Sequence, residues 1–319
     1  MKYAPIALFV YNRPEHTRRL LETLAGNKLA GESSLFIFAD GPKKDAKPEE
    51  LKAIENTRKL VRDKKWCGNV EIIESDKNKG LADSITGGVT KLINDYGRAI
   101  VLEDDLILSE GFLKYMNDAL EIYKDEEKAM HIAGYTFPHK TDLPETFFFK
   151  HMSCWGWATW DRAWRHFNPD SEFLYEELQK KGLMDEFNMH GYIDNAIQLY
   201  FNFNGIMKTW AIKWYASIYL NGGLCLQPDR SLALNLGHDN TGTHCGTTDI
   251  FEKSHITNYV NVEKKPVQLN ESAQKEIIEF YKSMHTSQIK KFLYKNFTKS
   301  AAVRKIFVVN YLRKRRYKP

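Results

Sequence analysis

A chain of 319 residues suffices for one large α/β domain with an appendage, or for two small domains. Hydrophobic residues make up 43% and aromatic residues 13%, enough for a sizeable core, which excludes a disordered chain. The net charge of +5 is unevenly spread: residues 286–319 hold eleven Lys/Arg and no Asp or Glu, which leaves 35 basic against 41 acidic residues before them.

Cys67, Cys154, Cys225 and Cys245 form no CxxC pair, which argues against a structural zinc site or a disulfide framework and suits a reducing cytoplasm. The apolar stretch 3–11 is short, contains Pro5, and runs into Asn12-Arg13-Pro14-Glu15 with no small-residue cleavage site, so it reads as a buried strand rather than a signal peptide. No run approaches the roughly 18 apolar residues that span a bilayer. The expectation is a cytoplasmic protein, soluble or peripheral on the membrane.

In chain order, residues 6–11 are an apolar run of strand length, and Pro14 opens a helix with Leu20, Leu21 and Leu24 on one face. Residues 35–39 form a second strand, closed by Asp40-Gly41-Pro42. A charged helix over 48–64 turns Leu51, Ile54 and Leu60 inward. Residues 70–73 are a third strand, 81–93 a helix, and 99–102 a fourth strand leading into Glu103-Asp104-Asp105. This alternation predicts a parallel sheet of right-handed βαβ units, which bind ligands at the carboxyl ends of their strands. Those ends carry Asn12-Arg13, Asp40-Gly41, residues 76–80 and residues 103–105, so four polar ends meet at one edge.

Beyond Asp105 the pattern changes. Ser109 is expected to cap a helix carrying Phe112, Tyr115, Met116 and Leu120. Residues 131–135 read as another strand, followed by an aromatic-dense region, Cys154-Trp155-Gly156-Trp157-Ala158-Thr159-Trp160. Trp160 and Trp164, four apart, suggest packing on one helix face. Helical stretches end in 210–220; a Gly222-Gly223 turn then leads to a strand at 224–226 and a polar loop at 235–244.

Adjacent carboxylates at a strand end repel one another unless a cation sits among them. Hard oxygen ligands of this kind suit Mg²⁺ or Mn²⁺ bound together with substrate phosphates. Alone, such a triplet is an acidic turn. The Ala99-Ile100-Val101-Leu102 strand before it and the helix after it give it the setting of a site.

Asn78-Lys79-Gly80-Leu81-Ala82, an amphipathic helix, and then residues 99–105 together resemble the GT-A glycosyltransferases. The likeness is to those similar to N-acetylglucosaminyltransferase I, which have EDD where other members show DxD. The opening 7–14 and Phe38-Ala39-Asp40-Gly41 match the same pattern. Residues 155–160 and 232–244 resemble bacterial sugar transferases of glycosyltransferase family 2. The resemblance covers roughly residues 4–246. It implies an α/β, Rossmann-like nucleotide-binding GT-A fold with a mixed, mostly parallel sheet.

The resemblance also implies roles. Tyr11, Asn12, Arg13 and Asp40 would surround the nucleotide, with Asp40 near the uracil or ribose. Asn78, Lys79 and Gly80 would form the nucleotide-side loop, with Asp83 approaching the base or sugar. Glu103 and Asp104 would hold ribose and sugar, and Asp105 would bind the divalent metal, Mn²⁺ or Mg²⁺. His244, in a loop that also holds Asn235, Gly237, His238, Asp239 and Thr243, would complete the metal shell or contact the diphosphate. Trp155 and Trp157 would wall the acceptor. The related enzymes commonly carry their catalytic carboxylate just after a Trp, about eighteen residues before a Pro. Here the frame runs from Trp210 to Pro228, but Ala211-Ile212-Lys213 fills the place of the acid. Asp239 is the substitute favoured as general base, with Asp194 as its rival.

The expected boundaries are a GT-A domain over 1–265, divided at 105 into nucleotide and acceptor halves, and a basic helical tail over 266–319. Ile289, Phe292, Leu293, Phe297, Ile306, Phe307, Val309 and Leu312 interleave with Lys/Arg in that tail, which suits an anionic membrane surface. A nucleic-acid arm is the other use of clustered basic residues, but bulky apolar residues between them favour the membrane, and no nucleic acid is expected. The resulting expectation is a metal-dependent, inverting glycosyltransferase that moves a sugar from a nucleotide-sugar, most simply a UDP-sugar, to a saccharide or lipid-linked acceptor. The alternatives are a sugar nucleotidyltransferase and a non-catalytic carbohydrate-binding module. The first normally has a Gly-rich basic loop after its first strand, which Tyr11-Asn12-Arg13-Pro14 is not.

Overall fold

The four apolar runs of the first hundred residues become β1 (Ile6–Val10), β2 (Ser34–Ala39), β3 (Asn69–Glu74) and β4 (Arg98–Glu103) in a computed structural model, which describes residues 2–237, 256–284, 297 and 300–316. Between them lie α1 (Pro14–Ala25), α2 (Pro48–Arg62) and α3 (Leu81–Tyr96). Every residue of β1 is buried, as continuous apolar strands are when both faces of a parallel sheet are covered. Pro14 occupies the first turn of α1, where its missing N–H costs nothing. Arg13 before it has φ −121° and ψ 72°, outside the helical region that a following proline disfavours.

The second half contributes β5 (Leu106–Leu108), α4 (Phe112–Ile122), β6 (Ala129–Ala133), β7 (Thr146–Phe149), β8 (Trp157–Trp160) and α5 (Asp161–Trp164). Then come α6 (Ser171–Lys180), α7 (Met184–Phe187), α8 (Asn195–Phe203), α9 (Ala211–Leu220), β9 (Leu224–Pro228), β10 (Ala233–Asn235), α10 (Glu271–Met284) and α11 (Ala301–Arg316). The main sheet has the order β3-β2-β1-β4-β8-β6-β9-β7. Its first four strands are parallel neighbours; β8 runs antiparallel to both β4 and β6, β9 parallel to β6, and β7 antiparallel to β9. The expected α/β class therefore stands: a mixed, mostly parallel sheet whose 3-2-1-4 half is the Rossmann-like nucleotide-binding arrangement.

Several expectations need correction. Gly111, not Ser109, is the N-cap of α4, and Ser109 contributes its backbone carbonyl, which accepts from Phe112 N at 3.1 Å. Trp160 and Trp164 do not share a helix: Trp160 ends β8 and donates Nε1 to Leu120 O, while Trp164 lies in α5 and donates Nε1 to Thr90 Oγ1. The short ribbon of β5 with β10 was not expected, because three-residue strands leave almost no periodicity to read.

The chain divides into two compact units, Met1–His166 with Gly222–Gln274, and Phe167–Asn221 with Lys275–Pro319. The division differs from the expected boundary at 265, since 167–221 belongs with the tail. In the second unit Phe297 is fully buried and Val303 nearly so, against Ile197 and Phe201, with Tyr200 and Phe307 packed on the same cluster. The Phe297 ring lies 5.2 Å from that of Tyr200 and 5.4 Å from that of Phe307. No helix among the described residues is long and apolar enough to cross a membrane.

Helix α3 is held against the sheet by close approach at Gly88. A Cβ there would lie 2.7 Å from Phe9 Cε1 and 3.1 Å from Phe38 Cζ, and those two rings are stacked at 5.0 Å. Gly87, on the exposed face of the same helix, meets nothing within 4 Å. Opposite signs are therefore expected in chemical denaturation. Gly88→Ala should destabilise by about 1–3 kcal/mol through overpacking, whereas Gly87→Ala should stabilise by about 0.5–1 kcal/mol.

Candidate functional site

Register brings the polar strand ends to one edge. Val10 pairs with Ala39, Ala39 with Glu74, and Phe9 with Glu103, so the residues after β1, β2, β3 and β4 leave the sheet together. Because β8 is antiparallel to β4, with Trp157 opposite Val101, Trp155 precedes it at this same edge.

The acidic triplet is organised by Arg13. Its Nη1 donates to Asp104 Oδ1 at 2.9 Å and to Asp105 Oδ2 at 3.1 Å, and Nη2 reaches the same Oδ2 at 3.4 Å. All three side chains are less than a fifth exposed, which takes the pair out of the exposed-surface regime where ion pairs count for little. Asp105 Oδ1 accepts from Asn235 Nδ2 at 3.0 Å, and its backbone carbonyl accepts from Leu236 N at 2.7 Å. Asn235 Oδ1 in turn accepts from Gly237 N at 2.7 Å. Gly237 sits so near that a Cβ would come within 2.4 Å of Asp105 Oδ2, so no larger residue fits beside the carboxylate as it stands.

Among the described residues one guanidinium faces three carboxyl groups, which record their burial and mutual repulsion. Burial, opposed by Arg13 and reinforced by Asp105, pushes Asp104 up to about 7. Burial together with the charges of Asp105 and Asp104 lifts Glu103 well above the ordinary carboxylate range. Among the described residues no three His, Cys, Asp or Glu side chains are arranged to hold a metal ion by themselves. The donor set does fit a hard divalent cation of the kind bound through one or two carboxylates and completed by substrate phosphates.

Asp40 works differently from expectation. Its Oδ1 accepts from Gly41 N and Lys79 N, and its Oδ2 from Asn78 Nδ2 and Gly80 N, all between 2.9 and 3.0 Å. These four bonds fill the roughly four acceptor sites of a carboxylate. Asp40 therefore latches the end of β2 to the loop before α3 and sets the path of Asn78-Lys79-Gly80. Arg58 braces the same junction, donating to Ser75 O at 2.7 Å and Asp40 O at 3.3 Å. The Tyr11 hydroxyl donates to Glu50 Oε1 at 2.8 Å; burial first, and then Glu50, raises its pKa. Asn12 is half-buried; Lys79 and Asp83 are exposed, with Asp83 in the first turn of α3.

The two acceptor tryptophans part company. Trp155 is half-buried and edge-on to Tyr135 at 4.4 Å. Trp157 is fully buried, stacked on His131 at 5.2 Å and 5.9 Å from Trp164. It therefore offers no face to an acceptor, which corrects the expectation. All four residues of β8 are buried, because the strand lies inside the sheet between β4 and β6 with both faces covered. Asp194, the rival base, lies in the second unit at the N-terminus of α8 and accepts from Gln198 Nε2 at 3.2 Å. Asp239 and His244 lie outside the described residues.

Glu50, Arg58 and Asn235 received no role from the sequence. For Glu50 and Arg58 only their place on a charged helix was visible. Asn235 had a readable signal, since Asn two residues before Gly is a common local hydrogen-bonding pattern.

No protein-family model and no curated protein sequence matches the chain. Solved structures similar to it include Staphylococcus aureus TarS, at 14% identity and a TM-score of 0.29 over 45% of this chain and 23% of that one. Residues 1–349 of the same protein give 12% identity and a TM-score of 0.41 over 74% and 61%. Mouse xyloside xylosyltransferase 1, in its apo form, gives 10% and 0.34 over 68% and 82%. The chain thus spans less than two thirds of TarS in either structure. At these scores the likenesses carry no weight for function, which has to be argued from the site.

The raised carboxyl at Asp104 has a consequence for stability. In the unfolded chain it ionises near its ordinary 3.8, and in the folded chain near 7. Its stabilising contribution is thus complete below about pH 4 and is lost as pH rises through about 7. Protein free of divalent cations should melt at a lower temperature at about pH 8 than at about pH 5.5, and Asp104→Asn should flatten part of that slope. Thermal melts across this range check it, and parallel slopes would contradict it.

Proposed function

We propose that this chain is a glycosyltransferase that takes its sugar from a nucleotide-sugar, most simply a UDP-sugar, with a divalent metal. The observation that carries the reading is the buried Glu103-Asp104-Asp105 cluster, under-compensated by Arg13, at the carboxyl edge of a parallel 3-2-1-4 half-sheet. Polar loops from four strands open there, as nucleotide-binding sheets of this kind require.

In this reading the loop Asn78-Lys79-Gly80, fixed by Asp40, flanks the nucleotide together with Tyr11, Asn12 and Asp83. Glu103 and Asp104 face ribose and sugar. Asp105 holds Mg²⁺ or Mn²⁺, with His244 proposed as a second ligand. Bound there, the cation would offset the charge that develops on the departing diphosphate. Trp155, at the same edge, is proposed on the acceptor side. Asp239 is proposed as the base that takes the acceptor hydroxyl's proton during inversion, with Asp194 as its rival. The acceptor is proposed as a saccharide or a lipid-linked saccharide.

Transfer from UDP-sugars in the presence of Mn²⁺ tests this reading. Asp105→Ala should cut turnover by about two orders of magnitude or more; undiminished turnover would remove the central claim. In the same assay, Asp239→Asn and Asp194→Asn made separately should show the larger loss at Asp239.

The basic tail is proposed to hold the enzyme on an anionic membrane surface, at the inner face of the cytoplasmic membrane. Support comes from Ile306 and Val309, which remain 45% and 39% exposed on α11 beside Lys305 and ahead of Arg313-Lys314-Arg315-Arg316. Replacing those four basic residues by serine should weaken binding to phosphatidylserine vesicles by about a hundredfold, measured by co-sedimentation. Unchanged binding would sink the membrane role.

A further inference from the structure

Arg13 is fixed at its backbone as well as its head. Its carbonyl accepts from Thr17 N at 3.0 Å and from Thr17 Oγ1 at 2.9 Å, which anchors the residue to the first turn of α1. The guanidinium then spans Asp104 Oδ1 and Asp105 Oδ2. Asp105 Oδ1 is already engaged by Asn235, and Gly237 closes in on Oδ2. The oxygen of Asp105 that Asn235 does not take is thus the one the guanidinium covers. A divalent cation coordinated to Oδ2 at about 2.1 Å would lie no farther than about 5 Å from Nη1, a close encounter of like charges in a partly buried site.

We propose that Arg13 is the resident counter-ion of the Asp104–Asp105 pair, and that a divalent cation binds by displacing its guanidinium from Asp105 Oδ2. This inference rests on the metal-dependent reading of the same site. The two cations share one carboxylate and exclude each other. Arg13 partly compensates the pair before donor arrives, and its departure is part of what metal binding costs. Thr17 holds the residue's backbone independently, so the displacement is assigned to the side chain.

Titration calorimetry of the full chain with Mn²⁺ alone, without nucleotide, tests the proposal. Arg13→Met should bind Mn²⁺ about tenfold more tightly than the wild type, and its melting temperature should rise more on adding Mn²⁺. Arg13→Gln, which keeps a hydrogen-bond donor without the charge, should shift in the same direction and serves where Arg13→Met does not fold. Asp105→Asn is the control that locates the ion. If Mn²⁺ binds the wild type, Asp105→Asn weakens that binding, and both Arg13 variants bind equally or more weakly, the proposal fails while the metal reading stands. If Mn²⁺ alone binds none of these chains, the proposal fails, and Mn²⁺-dependence of transfer from a UDP-sugar then decides the metal reading separately.

Discussion

Like-charge repulsion at the end of β4 is the constraint that most of the first unit answers to. Glu103, Asp104 and Asp105 follow one another where a buried strand leaves the sheet, and burial disfavours the ionised form of each that is withdrawn from water. A folded chain meets that cost with neighbouring positive charge and donors. Arg13 supplies the first, and it can do so only because β1 and β4 are adjacent and in register, so that the start of α1 falls beside the end of β4. Asn235 supplies the second, and it arrives by the β5–β10 ribbon, which pairs Asn235 with Leu106 directly after the triplet. The topology and the electrostatics are therefore one requirement. Among the described residues the compensation stays incomplete, and residual negative charge suits a divalent cation.

Asp40 shows a carboxylate put to the opposite use. It is only half-buried, yet every acceptor site is filled by donors from its own loop and from the loop after β3. A charge so fully satisfied has little left for a ligand. Its worth lies in fixing backbone: hydrogen bonds to charged groups contribute about 1.5–3 kcal/mol each, and several converging on one side chain convert a flexible connection into a rigid wall. Arg58 closes the same junction from α2 through carbonyls on both loops. The edge of the sheet thus has a stiff side at Asp40 and an electrostatically charged side at Asp105.

The first half of the chain was legible because its signals were local and redundant. Continuous apolar runs, a proline at the start of α1, and helical periods on Leu20, Leu21 and Leu24 each pointed the same way, and the strands fell within a residue or two of expectation. The strand ends were legible for the same reason, since a parallel sheet puts them on one side by construction. What escaped was pairwise. That Arg13 would lie against Asp104 and Asp105, ninety residues on, depends on which strands are neighbours. That Asp40 would turn to its own loop depends on a path no residue type specifies. Trp157 misled because tryptophan serves equally as core and as sugar platform. Its burial follows from β8 lying between β4 and β6, an insertion of one antiparallel strand that composition does not announce.

The tail illustrates the same ambiguity in a different form. Apolar residues spaced among lysines and arginines describe an amphipathic helix, but amphipathicity states only that one face must be covered, not what covers it. In the second unit Phe297, Val303 and Phe307 find their cover in Ile197, Tyr200, Phe201 and Met207. Two of the residues that suggested a membrane, Phe297 and Phe307, are thus already covered within the protein. Among the described side chains of α11, Ile306 and Val309 remain exposed beside Lys305. Two aliphatic side chains bury too little area to hold a protein of this size on a bilayer, since each full burial contributes about 1.5–3 kcal/mol. Attachment through these two side chains alone would therefore be weak, and the proposed membrane role leans on the run of basic residues at the end of the helix and so on salt.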